Sequence, residues 1–370
     1  MIKVLHLITR MNTGGPAVFL DHLTRSVKEL GCDTTIAYGY CEGNESDYLE
    51  SHKVLADTIK IKSLHRSLNP IHDLKAFFQI RKIVKNVKPD LINTHTSKAG
   101  VLGRLAAKSV NRNLPVIHTF HGHLIYGYFA RFKSIVFTLI EKTMSRFADL
   151  LVAVTSETKN SLQSLGIGKK SRWQVVPIGI PISRQNKPYS SKLSTLKLLW
   201  VGRFTDIKDP HYAVRVVKEL TKDKSANFEL TMVGDGELLN EVKKVAEGLS
   251  IKFTGWLKNP FESIKEFDLL MLTSKNEGLP LVMLEAANCE RATIARDVGG
   301  LSEFIKNNQT GYLVSKDAAD MAKVLLNLSR NRQQLKEVGI SAHKLLAESF
   351  SVEVMAKKYI EIYKQLLISY

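Results

Sequence analysis

Short apolar runs alternate with stretches of helical periodicity along almost the whole sequence, and the alternation starts twice. The first series opens with an apolar run at residues 4–8 and a helical stretch at 17–30, where Phe19, Leu20, Leu23, Val27 and Leu30 share a face. Further apolar runs at 35–38, 91–93, 116–119 and 150–154 are separated by helical stretches at 73–87, 101–110, 134–147 and 156–165. Strands that alternate with helices imply a parallel sheet wrapped on both faces. The segment PIGIPISRQNKP at 177–188 interrupts the pattern with Pro and Gly. Strand-like runs then resume at 196–201, 229–233, 251–254, 269–272 and 293–295, and residues 331–370 are helical in pattern throughout. At 370 residues the chain exceeds what one core usually supports. The expectation is therefore α/β, with a doubly wound domain over 1–180, a second over 181–350, and a last helix, 351–370, returning to the first.

Open α/β sheets take ligands at the carboxyl ends of their strands, so the loops after each apolar run carry the chemistry. The strongest signal is Ser274-Lys-Asn-Glu-Gly-Leu-Pro-Leu-Val-Met-Leu-Glu285, which follows a strand and opens a helix near Pro280. A helix start exposes unpaired N–H groups and partial positive charge, so Gly278, Leu279, Pro280, Leu281 and Val282 suit a diphosphate. Glu285 lies roughly 7.5 Å further along the axis, at 1.5 Å per residue, placed for the hydroxyls of a ribose, while Glu277 stays in the loop for those of a transferred sugar. The competing reading is that Glu277 biases the helix start and Glu285 is a solvated surface residue. Val201-Gly-Arg-Phe-Thr-Asp-Ile-Lys208 weakens it, because Arg203 and Lys208 fall on the same sheet edge, where two cations can neutralise a departing diphosphate. No Asp-x-Asp pair that would hold a metal occurs in the sequence. Gly234, in a Gly-Asp-Gly loop, and Leu257, after Gly255-Trp256, end two further strands; a base-reading loop and an ordinary turn fit them equally. The same holds for Val298-Gly-Gly300 with Glu303.

The net charge of +17 is confined to one region: residues 51–187 hold 23 Lys+Arg against 6 Asp+Glu, and the remainder sums to zero. Such a region attracts phosphates, nucleic acid or anionic lipid, and the count does not choose among them. A recognisable nucleic-acid module is absent from the basic stretches. The helical stretch with Lys75, Arg81, Lys82, Lys85 and Lys88 opposite Phe77, Phe78, Ile83, Val84 and Val87 suits a membrane interface or an ordinary half-buried helix. The loop LIYGYFARFK at 124–133, with Tyr126, Tyr128, Phe129 and Arg131, mixes aromatics and cations inside the same region. With no apolar run of membrane-spanning length and three cysteines without ligand or disulfide spacing, the expectation is a reduced, cytoplasmic protein, with peripheral membrane contact as one reading. His95, His118, His121 and His123 cluster at the ends of two apolar runs, but their spacing is not that of a metal site.

The EGLPLVMLE stretch, VGRFTDIKD and the pair Gly14-Gly15 resemble glycosyltransferase family 4 over nearly the whole chain. The resemblance implies the GT-B fold, two Rossmann-like domains across a cleft, and transfer with retention from a nucleotide diphosphate sugar, with UDP the expected nucleotide, and no metal or other cofactor. It implies that Arg203 and Lys208 hold the diphosphate, Glu285 the ribose and Glu277 the donor sugar, with Gly14 and Gly15 near the phosphates. A plain turn explains Gly14-Gly15 as well. It also implies that His121, in a His-Gly pair, contacts the donor sugar and helps align the attacking hydroxyl; a loop histidine with a satisfied hydrogen bond is the alternative. The motif His95-Thr-Ser-Lys-Ala-Gly-Val-Leu-Gly-Arg104 is similar to members that build bacterial surface polysaccharides on lipid carriers, which places Lys98 and Arg104, with the aromatic loop, on the side of a lipid-linked glycan acceptor or membrane. Many members have Asn after the first Pro of Pro177-Ile-Gly-Ile-Pro181, where this chain has Ile178. Double displacement through Glu277, a sugar-nucleotide 2-epimerase on the same fold, and a nucleic-acid-binding protein remain open as other readings.

Overall fold

The computed structural model describes residues 1–43, 45–122, 131–169, 171–182, 195–257, 264 and 266–369, with backbone alone at 131–133. It divides into two compact units, Met1–Pro181 with Ser351–Tyr370, and Ile182–Phe350.

Unit 1 is built on a parallel sheet of β1 (Ile2–Ile8), β2 (Cys32–Tyr38), β3 (Asp57–Lys60), β4 (Leu91–His95), β5 (Val116–Phe120), β6 (Leu150–Ala153) and β7 (Trp173–Val175). The strand order is β3-β2-β1-β4-β5-β6-β7. The chain turns back between β1 and β4, so this is the point where loops after neighbouring strands diverge and leave a crevice. Its helices are α1 (Gly15–Glu29), α2 (Tyr48–Ser51), α3 (Pro70–Val87), α4 (Ser97–Val110), α5 (Arg131–Met144) and α6 (Ser156–Ser164). Every position of β4 and β5 is buried, as expected where helices cover both faces. The buried positions include polar ones, Asn93, Thr94, His95, His118 and Thr119, which therefore need partners inside the unit.

Unit 2 repeats the plan with β8 (Thr195–Val201), β9 (Asn227–Val233), β10 (Ile251–Gly255), β11 (Leu269–Leu272), β12 (Ala292–Arg296) and β13 (Tyr312–Val314) in the order β10-β9-β8-β11-β12-β13. Its helices are α7 (Pro210–Leu220), α8 (Leu239–Val245), α9 (Leu281–Asn288), α10 (Leu301–Phe304), α11 (Ala318–Arg330) and α12 (Arg332–Ser349). The turning point lies between β8 and β11, whose ladder pairs only Leu198 with Leu269 and Leu199 with Leu270 before the strands part. Into that gap Trp200 Nε1 donates to Thr273 Oγ1 at 2.8 Å.

The carboxyl-terminal region holds two helices. Helix α12 ends at Ser349, Phe350 and Ser351 leave helical backbone, and Ser351 caps a new helix, α13 (Val352–Ile368), by accepting from Val354 N at 3.3 Å. Helix α12 belongs to unit 2 and α13 to unit 1, where Tyr359 meets Phe19 of α1 with ring centroids 5.9 Å apart. Ser351 also bridges to Ile180, and a Cβ on Gly179 would lie 2.3 Å from Ser351 O, so only glycine fits there. Among the described residues, no helix is long and apolar enough to cross a membrane.

Candidate active site

In unit 2, the loop after β8 and the loop after β11 face each other across the turning point of the sheet. The first forms a tight turn, Asp206–Lys208, and then Asp209 adopts a left-handed backbone at φ 46° and caps α7, accepting from Tyr212 N at 3.2 Å. A non-glycine residue in that region is strained and persists when neighbours over-determine it. Here Arg296, reaching from the end of β12, donates from Nη1 to Asp209 Oδ2 at 2.9 Å and to Thr273 O at 3.0 Å. Thr273 Oγ1 in turn donates to Lys208 O at 2.8 Å, so the Lys208 backbone is tied to β11.

The Lys208 ammonium donates to Glu277 Oε1. Ser274 Oγ donates to the same oxygen at 2.5 Å, while Oε2 makes no hydrogen bond among the described residues. A carboxylate held on one oxygen and open on the other can still accept from a ligand hydroxyl. The loop after β12 supports Glu277 from behind: Gly300 N donates to Glu277 O at 2.9 Å, and Gly299, at φ 58°, would place a Cβ 1.9 Å from that oxygen. The Val298-Gly-Gly300 loop is thus a backbone support.

Arg203 is exposed and has no ion pair among the described residues. Leu279 is buried, Gly278 and Pro280 half-buried, and α9 starts at Leu281, leaving the N–H groups of Leu281 and Val282 outside its internal ladder. Glu285 is half-buried one turn further on, and burial pushes its carboxyl up to about 7. Gly234, at φ 135°, would place a Cβ 1.9 Å from Gly202 O, so this glycine is required by the packing of two loops and needs no ligand to explain it. Leu257 is half-buried beside the exposed Trp256.

Unit 1 presents the loops after β1, β4 and β5. Gly14 caps α1 with an extended backbone, and its carbonyl accepts from Ala17 N and Val18 N at 3.2 Å each. A Cβ on Gly15 would meet no atom within 4 Å, so the protein's own packing does not demand glycine there. His121 follows β5, and its Nε2 lies 3.0 Å from His95 Nδ1; His95 Nε2 lies 3.2 Å from His6 Nδ1. His118 is a neighbour outside this series and meets Thr94 Oγ1 at 2.9 Å through Nδ1. Burial holds His121 and His6 down to about 3 and His95 and His118 well below their ordinary value, so all four are neutral at pH 7. A neutral ring has one N–H donor and one bare acceptor nitrogen. Among the described residues, no group of three His, Cys, Asp or Glu side chains is set to hold a metal ion.

Of the acceptor-side expectations, the one for Arg104 needs correction. Arg104 is fully buried: its Nε donates to Gly100 O at 2.8 Å and its Nη2 to Glu141 Oε2 at 2.7 Å, so it ties α4 to α5 and reaches no acceptor or membrane. Lys98 is half-buried and donates to Asp73 Oδ1 at 2.6 Å and to Ser67 O. Tyr126, Tyr128, Phe129 and His123 lie outside the described residues, as does the side chain of Arg131. On α3 the buried face is Ala76, Ile80 and Val84, while Phe78 joins Ile71 and Leu74 in solvent. Helix α5 likewise exposes Ile135, Val136, Leu139 and Ile140.

Sequence reasoning missed Ser274 as a ligand of Glu277, and missed Asp209, Thr273, Arg296 and His6 as supports. Ser274 and Asp209 stood inside the two motifs; Arg296, 87 residues from Asp209, and His6, 89 from His95, are joined to them only by the fold.

Two sequence models match the chain, "Glycosyltransferase Family 4" over residues 13–184 and "Glycosyl transferases group 1" over 195–331. The chain is 28% identical over 370 residues to the "O-antigen biosynthesis glycosyltransferase WbnH" of Escherichia coli, covering 100% of both chains. It is 23% identical over 347 residues to the "UDP-Gal:alpha-D-GlcNAc-diphosphoundecaprenol alpha-1,3-galactosyltransferase" of the same species, covering 88% of each. Among solved structures, Anabaena HepE in complex with UDP-glucose superposes with a TM-score of 0.81 at 19% identity, over 99% of this chain and 100% of that one. The two α/β sheets, the family models on each and the full-length relatives agree: this chain is a glycosyltransferase, with the family 4 domain in its amino-terminal half and the group 1 domain in its carboxyl-terminal half.

Proposed function

We propose that the chain moves a sugar, with retention and without a metal, from a UDP-sugar to a hydroxyl of a lipid-linked glycan in surface polysaccharide synthesis. The observation that carries this reading is the meeting of Lys208, Ser274 and Glu277 between the loops after β8 and β11, with the exposed Arg203 on the same loop as Lys208. Arg203 and Lys208 neutralise the charge that develops on the leaving diphosphate, the task a divalent ion performs elsewhere. Glu277 Oε2 accepts from a hydroxyl of the transferred sugar, and the carboxylate of Glu285 accepts from the ribose. The bond from the sugar's anomeric carbon to the phosphate oxygen breaks, the acceptor oxygen bonds to the same face of that carbon, and the acceptor proton passes to the departing phosphate oxygen. The protein then positions groups and stabilises charge.

The names of the relatives support the choice of substrates. One carries UDP-Gal and diphosphoundecaprenol in its name, and HepE was crystallised with UDP-glucose. The exposed apolar side chains of α3 and α5, in the region that holds the whole charge excess, suit an enzyme whose acceptor resides in a membrane.

Incubation with a panel of UDP-sugars and a synthetic diphosphoprenyl glycan, in excess EDTA, tests the proposal. Acceptor-dependent release of UDP, giving a product with the donor's anomeric configuration, is expected. An inverted product, loss of activity in EDTA, or conversion of the donor to its epimer would each overturn the corresponding part.

A further inference from the structure

We infer that His95 is a positioning residue that holds His121 in the tautomer bearing its proton on Nδ1, so that His121 offers a donor to its ligand. The inference rests on the reading of His121 as a residue of the transfer site. His6, His95 and His121 form a series from the middle of β1, through the end of β4, to the loop after β5, with nitrogen separations of 3.2 and 3.0 Å. A neutral imidazole has one N–H and one bare nitrogen. His95 uses both nitrogens within the series, so it donates once and accepts once, and the two hydrogen bonds must run in the same direction.

Two arrangements satisfy this rule. If the protons point from His121 toward His6, the series ends in an N–H on His6 Nε2. If they point from His6 toward His121, that nitrogen is bare and His121 carries its proton on Nδ1. His6 Nε2 is fully buried and has no hydrogen-bond partner among the described residues. A buried, orphaned N–H is the rarer defect, so the second arrangement is selected.

Among the described residues, the groups packed around His95 and His121 are apolar or engaged elsewhere. Phe19 of α1 stands edge-on to His121 at a centroid distance of 4.7 Å and lies 5.9 Å from His95, with Tyr359 of α13 behind it. Tyr359 OH lies 3.3 Å from Thr119 Oγ1, and His118 is engaged by Thr94. Neutrality, on which the counting of donors depends, follows from the depth at which burial holds all three rings. Arg104, a buried cation of unit 1, is turned to Glu141 and sits on the His118 side.

The test is a long-range 1H–15N correlation on protein labelled with 15N-histidine, in which protonated and bare imidazole nitrogens separate widely. His6, His95 and His121 are expected to appear neutral and Nδ1-protonated, against the preference of free neutral histidine for Nε2. In His95→Phe the His121 signals should shift to the Nε2-protonated pattern and kcat should fall about tenfold, the rate equivalent of one hydrogen bond, while donor KM changes little. His95→Asn, whose amide nitrogen can stand where Nδ1 stood, should recover most of the rate. An Nε2 proton on His121 in the wild-type spectrum overturns the inference even if His95→Phe fails to fold. A His95-dependent tautomer with full turnover in His121→Ala removes instead the role proposed for His121 in transfer.

Discussion

Glu285 is the residue whose protonation most separates the folded from the unfolded chain within the proposed donor site. Its carboxyl is raised to about 7 by burial, from an ordinary value of 4.5. A raised acid contributes stability below its unfolded value, and that contribution is lost as pH rises through the folded one. Replacing it with Gln, which cannot ionise, should leave thermal stability unchanged below about pH 4 and raise it at pH 8 by on the order of 2 kcal/mol. Equal melting shifts at both pH values would contradict the burial of this carboxylate. Binding of a ribose favours the ionised acceptor, so nucleotide affinity of the wild type should weaken as pH falls below 7, and calorimetry at pH 6 and 8 checks this. Lys208→Ala should cost at least about 100-fold in kcat, the scale of losing one donor to a developing oxyanion. Gly299→Ala should cost more than the ordinary helix or loop glycine, since both its φ of 58° and the Glu277 carbonyl oppose a Cβ. Turnover and denaturant midpoint together measure it, and a silent substitution would mean that the backbone behind Glu277 yields. Lys208 and Glu277 were legible because their motifs follow strands directly. Arg296 and His6 were not, since a residue that acts through backbone carbonyls or a buried ring leaves no local pattern.

At the scale of elements, the central strands were legible because burial on both faces leaves continuous apolar runs. Of the four edge strands, β10 was read at 251–254 and the other three were not. Strand β3 is Asp57–Lys60, exposed at nearly every position, and β7 and β13 are three residues each, at the ends of the two sheets. An edge strand of that length needs no apolar run, so periodicity cannot find it. The break between α12 and α13 falls at Phe350 and Ser351, where the sequence reading starts its last helix; neither Gly nor Pro marks it, and its local sign is the cap at Ser351. The pairing of α4 with α5 through Arg104 and Glu141 carries a prediction here. Both side chains are nearly inaccessible, at 0% and 4%, so Arg104→Met should destabilise the fold by about 3–5 kcal/mol by stranding the carboxylate, and Arg104→Met with Glu141→Leu should recover much of the loss. A double variant no better than the single one would show that the carboxylate is not the source of the cost.

At the scale of the molecule, the basic excess lies within residues 51–187, and unit 1 carries the exposed faces of α3 and α5. Binding to vesicles rich in anionic lipid should therefore fall steeply between about 50 and 200 mM salt, at roughly 1 kcal/mol for each Lys or Arg near the surface, and Phe78→Asp should weaken it further. Salt-insensitive sedimentation would remove the membrane contact from the proposal. The division at Phe350 and Ser351 has another effect. Unit 1 is completed by α13, whose Tyr359 and Tyr363 are fully buried against it, yet all of unit 2 is encoded in between. During synthesis the ribosome therefore delivers everything unit 2 requires before it delivers the last piece of unit 1. The half that begins first must wait, with the flank of α1 uncovered, for the half that begins second.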